Sequence, residues 1–302
     1  MVNFVLIVVC ILAGMLFRTT QVIHPQAHKG INTWILYIGL PALSFKYLPQ
    51  VSWNMDILIP AISSVIVLAG AWLFVAIYCR LKHYSRRTQS TLELSTGYSN
   101  TSFIGFPLIA AYYGEQYISI GIICDQMMFI LLSTFGIISA LKGGADKTKP
   151  SAGFLLRRLI SFPPFIGCML AILLSLLVDL SFAVPLFDKL AATVAPLALF
   201  SIGLQLKFNG WKKELPQISM TMLYKLLLAP ALVVGFALLL NKSGYIVKIS
   251  VMEAAMPTLV TSSIIAEQFR LNTRLTNLII GISILVGFIT TAFWYECMEL
   301  LF

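Results

Sequence analysis

The sequence predicts an all-α integral membrane protein of ten transmembrane helices. Three observations predict it. Hydrophobic residues make up 59% of the 302-residue chain and charged residues 11%, against roughly 25% charged in a soluble domain. Too few charges are present to coat a soluble particle of this size. The apolar residues gather into ten runs near the roughly 20 residues that cross a bilayer as a helix. Two of these runs, the fourth and the ninth, carry helix-breaking and hydroxyl residues at equivalent places.

In chain order, runs 1 to 5 are Val2–Phe17, Ile31–Leu48, Ile57–Cys79, Ser90–Tyr113 and Tyr117–Leu141. Runs 6 to 10 are Leu159–Leu180, Pro185–Leu206, Gln217–Leu240, Val247–Phe269 and Thr273–Glu296. They are too long and too continuous for the alternating strands of an outer-membrane barrel. No basic residue precedes run 1 and Arg18 follows it, which suits a retained span rather than a cleaved signal.

The 21 basic residues sort by loop. Arg18, Lys29, Arg80, Lys82, Arg86, Arg87, Lys142, Lys147, Lys149, Arg157, Arg158, Lys207, Lys212, Lys213, Arg270 and Arg274 follow odd-numbered runs. Lys46, Lys189, Lys242 and Lys248 fall in the alternate loops or at the run ends that border them, and Lys225 sits deep inside run 8. The positive-inside rule then puts the odd loops in the cytoplasm and both termini outside, in the cell membrane. The same asymmetry accounts for most of the net charge of +9, so no nucleic-acid partner is needed.

The hydrophilic stretch at 142–158 reads as a cytoplasmic linker between two five-helix repeats, 1–141 and 159–302. Pro41 and Pro196 match across it, as do Pro60 and Pro216, Ala110 and Ala266, Tyr113 and Phe269. Glu93 and Gly97 match Glu253 and Pro257 at a slightly larger offset. Five helices per repeat is an odd number, so the second repeat enters from the opposite side. An inverted repeat of this kind is a transporter architecture, with its binding site where the repeats meet.

Run 4 contains GYSNTSFIGFPL and run 9 contains AAMPTLVTSS. Gly97, Gly105, Pro107 and Pro257 weaken the helical ladder there. The bland alternative for either run alone is a proline kink in a packed helix. Two polar breaks at matching positions favour unwound segments lining a cavity.

These residues resemble the auxin efflux carrier family, which includes bacterial malate and malonate permeases and the plant PIN-FORMED exporters. Ser99–Leu108, SNTSFIGFPL, is similar to the family's Asn-x-x-x-x-Gly-x-Pro-Leu signature. Pro257 with Ala266–Phe269 resembles the ninth-helix pattern, and Pro41–Phe45 the second. Asp125 and the run KLLLAP from Lys225 to Pro230 are also similar. The resemblance implies the fold of bile-acid symporters and sodium/proton antiporters. Runs 1, 2, 6 and 7 would form a scaffold and a homodimer interface. Runs 3–5 and 8–10 would form a moving domain, with substrate at the crossing of runs 4 and 9. Asn100 would be the crossover asparagine and Pro257 its second-repeat proline. This chain departs from the plant members in carrying Ser99 where they have proline, and in lacking their long cytoplasmic loop.

Half-helix N-termini at such a crossing would favour an anion. Asn100, Thr101 and Ser102 on one side, and Thr258, Thr261, Ser262 and Ser263 on the other, would add hydrogen bonds. Lys225 is the basic residue deepest in a run. It either meets substrate or pairs with Asp125 or Glu253. Glu93, Asp125 and Glu253 are candidates for coupling to a proton or sodium, or partners for Lys225. No cofactor and no metal are expected. His24, His28 and His83 fall in loops without a third ligand, and no hydrolase, zinc-protease or phosphate-loop motif occurs. The five cysteines show no CxxC spacing.

The sequence therefore predicts a non-enzymatic secondary transporter of a small organic anion, a mono- or dicarboxylate such as malate or malonate. A cation-coupled antiporter, a channel and a non-transporting membrane sensor are the competing expectations.

Overall fold

Proline sets where these helices distort. A proline inside a helix lacks the N–H owed to the carbonyl four residues back and pushes that carbonyl aside. Pro41, Pro107 and Pro230 each stand two residues after a widened i→i+5 turn, at Ile35–Gly39, Thr101–Gly105 and Leu223–Leu228. The wider turn makes room for the ring while the helix continues. At Pro230 the carbonyl left over is that of Leu226, and the Trp294 indole N–H donates to it at 2.8 Å. A fourth widened turn, Leu132–Gly136, has no proline after it.

The computed structural model describes residues 2–24, 26–51, 54–144, 151–206 and 211–302. Among them the chain is helical, and strand geometry is confined to one pair, Ser99 opposite Thr258. Six helices are long and apolar enough to cross a membrane: Val2–Thr19, Met55–Leu81, Glu115–Gly143, Val184–Gln205, Trp211–Leu239 and Thr273–Leu301. They carry runs 1, 3, 5, 7, 8 and 10.

The other four runs fall short for separate reasons. Run 2 opens on a polar helix, Ala27–Trp34, before its apolar part, Leu40–Tyr47. Run 6 is a 15-residue helix, Pro163–Leu177, because the Pro163–Pro164 pair restarts the chain after the helix Ala152–Ile160. Runs 4 and 9 are each cut in two. The latter half of the expected linker is thus helical. Lys147 and Lys149, and Lys207 further on, lie outside the described residues.

The chain divides into two compact units, each assembled from both halves of the sequence. The first comprises Met1–Met55, Ser102–Ile122 and Leu156–Leu206. It takes runs 1, 2, 6 and 7, the runs the resemblance assigns to a scaffold, and adds residues 102–122. Its main contact lays Val2–Thr19 along Val194–Gln205. Ile7, Ile11 and Gly14 form the buried face of the first helix, while Val5, Val8, Leu12 and Leu16 point outward. An apolar outer face needs an apolar solvent. The two backbones touch through glycine: Gly203 Cα lies 2.9 Å from where a Cβ on Gly14 would stand, and the Phe200 carbonyl is closer still. Leu40–Tyr47 packs on Pro163–Leu177 and Val184–Ala191, with Phe45 stacked on Phe187 at 4.7 Å between ring centroids.

The second unit comprises Asp56–Thr101, Ile123–Leu155 and Lys207–Phe302. Leu58–Leu81 packs against Arg86–Gly97, Ala229–Leu239 and Tyr245–Ala254. Small residues make this approach possible: Ala71, Ala229, Ala237 and Ala254 share one buried cluster with Val67, Tyr224 and Trp294. The Tyr224 hydroxyl donates to the Val67 carbonyl at 2.7 Å.

The polar contacts at helix ends follow a pattern. In the first unit Lys46 pairs with Glu115 at 3.3 Å and Asp188 at 3.2 Å. In the second, Lys242 pairs with Asp56 at 2.7 Å and Lys248 with Glu299 at 2.8 Å. All of these join run ends or loops at the junctions after even-numbered runs. Arg18 donates to the Leu206 carbonyl, and Arg87 to that of Leu271 at 3.2 Å. These join segments following odd-numbered runs.

Candidate functional site

The centre of the second unit is where runs 4 and 9 break. The helix Arg86–Gly97 stops at Tyr98, and a widened turn resumes at Thr101. The helix Tyr245–Ala254 stops before Pro257, and the next helix begins at Thr261. The two unwound stretches lie antiparallel and pair with each other. Asn100 N–H donates to the Pro257 carbonyl at 2.8 Å, and Leu259 N–H donates to the Tyr98 carbonyl at 3.0 Å. Backbone groups that a broken helix leaves over are thereby satisfied inside the protein, as an apolar surrounding demands.

Side chains complete the accounting. Thr258 Oγ1 donates to the Ser95 carbonyl at 2.8 Å and Ser262 Oγ to the Leu94 carbonyl at 2.9 Å. Both carbonyls belong to the last turn before the first break. Thr258 N–H donates to Ser283 Oγ at 3.1 Å. Thr101 Oγ1 donates to Asp125 Oδ1 at 2.5 Å. The protons of these hydroxyls and N–H groups hold the break together. Ser102 is buried and Thr261 half-buried.

Asn100 is different. It is fully buried, and neither its amide oxygen nor its amide nitrogen has a hydrogen-bond partner. An unmet pair of this kind costs about 1–3 kcal/mol per group. The Tyr98 hydroxyl, also fully buried, has no partner either. Gly97 is needed because a Cβ there would stand 2.8 Å from Leu68 Cδ1. Gly136 lies against the Tyr98 ring for the same reason, with Tyr98 Oη 3.1 Å from its would-be Cβ.

Lys225 is fully buried on the widened turn before Pro230. Its ammonium donates to Ser99 Oγ. Of the partners the sequence offered, Glu253 reaches it only through the electrostatic field. Ser99, a residue notable in the sequence only as a departure from proline, is the direct contact. Proline there would have no hydroxyl to give.

The three candidate acids separate. Glu93 accepts from Gln89 at 2.8 Å and from the Ser139 hydroxyl, so both its oxygens are occupied in tying Arg86–Gly97 to Ile137–Gly143. Asp125 accepts from Thr101. Glu253 is 2% exposed and neither carboxylate oxygen has a hydrogen-bond partner. Sequence reasoning missed Ser63, Ser95, Ser283 and Trp294. A serine or tryptophan in an apolar run gives no signal until its neighbour is known.

Apolar helices of bilayer length around a polar, broken centre define a multi-pass membrane transport protein. The chain matches the membrane transport protein family over residues 1–295. It belongs to that family, which is of the auxin efflux carrier type and consists of transporters, not enzymes. It is similar to an uncharacterized transporter of Methanothermobacter thermautotrophicus, 21% identical over 95% of each chain. One from Methanocaldococcus jannaschii is 22% identical over 96% of each. A Rhizobium meliloti protein named "Putative malonate transporter" is 26% identical over 82% of this chain and 79% of its own.

Proposed function

We propose that this protein is a secondary transporter that carries a small organic anion, a mono- or dicarboxylate such as malonate or malate, across the cell membrane. Alternating access takes place around the crossing of runs 4 and 9, within ten spans arranged as an inverted repeat of 1–141 and 159–302. The observation that carries this reading is Asn100. Its amide is fully buried at the paired breaks with both polar atoms unmet, and a carboxylate or carboxylic acid offers acceptors and a donor that match it. Lys225 supplies positive field in the same unit, and the name of the Rhizobium relative points to a dicarboxylate.

Both termini lie outside. The excess of basic residues after odd-numbered runs supports that orientation, and every end-to-end polar contact named above joins two segments that this count puts on the same side.

The test is counterflow in proteoliposomes. Internal unlabelled malonate or malate should drive saturable uptake of the labelled anion. Asn100→Ala should weaken it, and Pro257→Ala, which lets a helical turn re-form through the break, should slow it without unfolding the protein. Flux that never saturates and shows no counterflow makes the protein a channel, and no flux for any carboxylate makes it a sensor. Either result sinks the proposal.

A further inference from the structure

The helices Leu215–Met222 and Thr273–Leu301 pack on each other within the second unit. A groove of about 560 Å³ lies between them, walled by residues of 211–222 on one side and of 282–286 on the other. Leu215 and Leu285 on its walls are 44% and 45% exposed, so the groove opens away from the protein. Apart from the Trp211 indole N–H, Ser219 carries the one polar side-chain atom among the described residues that line it. An open apolar groove of this kind needs an apolar occupant. Its walls are matched in length. Ile218 shares a buried cluster with Leu275, Leu278 and Ile279, which sets the starts of the two walls side by side. From Trp211 to Met222, and from Arg274 to Val286, each wall rises about 18 Å. One leaflet of hydrocarbon is about 15 Å thick, so the groove has the length of one acyl chain with its headgroup region.

Both walls start on basic residues. Lys212 and Lys213 follow Trp211, and Arg274 opens the second helix. All three are exposed, and the ion pairs among the described residues leave them out. Glu214 is the carboxylate of the same short turn, so three positive charges against one negative leave a surplus of two. Glu267 and Arg270, at the end of the preceding helix, cancel in the count. Trp211, 40% exposed, stands at this end, where an indole sits at headgroup level. At the other end Met222 and Val286 are uncharged, and Lys225 beyond them is fully buried on Ser99. The groove is therefore positive at one end and apolar along the rest, which complements an anionic phospholipid. A second copy of the chain suits it less. Membrane helices approach each other through small residues, and these walls are Trp, Leu, Ile, Met and Val. A two-fold pair across the groove would also set each basic end beside its own equivalent.

We propose that this groove binds an anionic phospholipid, with one acyl chain between the two walls and the phosphate on Lys212, Lys213 and Arg274. The proposal goes beyond the transport reading and does not need it. The basic-residue count puts this lipid in the inner leaflet. Its chain bridges the two helices below the point where the Trp294 indole bonds the Leu226 carbonyl. The far end of the groove stops at Met222, next to the widened turn Leu223–Leu228 that carries Lys225. A bound lipid therefore braces that turn from the membrane side and stabilises the folded unit.

The experiment uses the purified, delipidated full-length protein in detergent without organic anion. Dioleoyl phosphatidylglycerol is titrated against dioleoyl phosphatidylcholine and against glycerol phosphate, and thermal stability is read. Phosphatidylglycerol should raise Tm saturably, and at a lower concentration than phosphatidylcholine. Glycerol phosphate, a headgroup without a chain, should not raise it. Lys212→Gln together with Lys213→Gln should raise the half-saturating concentration of phosphatidylglycerol roughly 25-fold, about fivefold per charge. Both lysines are exposed, so this variant should fold like the parent. Ser219→Trp, with Leu215→Trp as a second way to fill the same space, should abolish the response to both lipids while the basic residues stay. Equal responses to the two lipids overturn the site, as does an unchanged phosphatidylglycerol response in the double lysine variant. A full response in Ser219→Trp or Leu215→Trp places the chain elsewhere and overturns it. So does a response to glycerol phosphate as large as that to the lipid. Lipid-independent dimerisation that Ser219→Trp removes makes a second copy the occupant and overturns it too.

Discussion

In the unit containing Val2–Thr19 and Val194–Gln205, the ionic groups stand at helix ends and the interior is closed by glycine against backbone. In the unit containing Arg86–Gly97 and Tyr245–Ala254, ionisable and amide groups stand in the interior, and Asn100 and Glu253 lack hydrogen-bond partners. One interior is arranged for packing, and the other holds polarity that packing alone would remove. Unmet polar groups persist in a buried site when something other than stability requires them. The difference supports the proposal that a ligand acts in the second unit.

Four substitutions sharpen or break that comparison, from the largest effect on the fold to the smallest. Gly14→Val drives side-chain atoms into the Phe200 carbonyl and Gly203. Overpacking against backbone should cost about 3 kcal/mol, seen as loss of monodisperse protein in size-exclusion chromatography. A well-behaved Gly14→Val protein would mean that the close approach of the two helices is not needed. Trp294→Phe keeps an aromatic ring but takes the donor from the Leu226 carbonyl. It should lower stability by about 1–3 kcal/mol, measured as a drop in melting temperature.

Lys46→Ala removes pairs with Glu115 and Asp188 that are 63% and 47% exposed. Its effect should stay below about 1 kcal/mol and shrink further in high salt. Asn100→Ala should leave the melting temperature of the ligand-free protein unchanged or slightly raised, because it deletes two unmet buried groups. The same substitution should weaken carboxylate binding by roughly 5- to 150-fold, read as lost stabilisation by the anion. If Asn100→Ala destabilises the free protein as much as Trp294→Phe does, the amide is structural and the contrast between the units fails.

The composition decided the class of protein. With 11% charged residues, no arrangement of this chain can present a polar surface to water on every side. The breaks at Gly97 and Pro257 were also legible, because a residue without a Cβ or without an N–H weakens a helix wherever it occurs. The number of helices of full bilayer length was less so. Run length counts residues, but Pro163–Pro164 restarts run 6 and the pairing of Ser99 with Thr258 divides runs 4 and 9.

Only the tertiary structure decided what each polar residue does. The sequence placed Glu93, Asp125 and Glu253 as equals. Folding gives the first two hydroxyl partners and leaves the third bare beside a void. It offered Thr101, Thr258 and Ser262 to an anion, and the crossing commits their protons to Asp125, Ser95 and Leu94. It offered Lys225 either a substrate or a carboxylate, and the fold gives it Ser99 as a hydrogen-bond partner. The physical reason is the range of the forces. Solvation and backbone conformation act on residues one at a time and leave a trace in local sequence. A hydrogen bond acts over about 3 Å, and residues 163 or 168 positions apart, such as Thr258 with Ser95 and Ser262 with Leu94, come within that range only when the chain has folded.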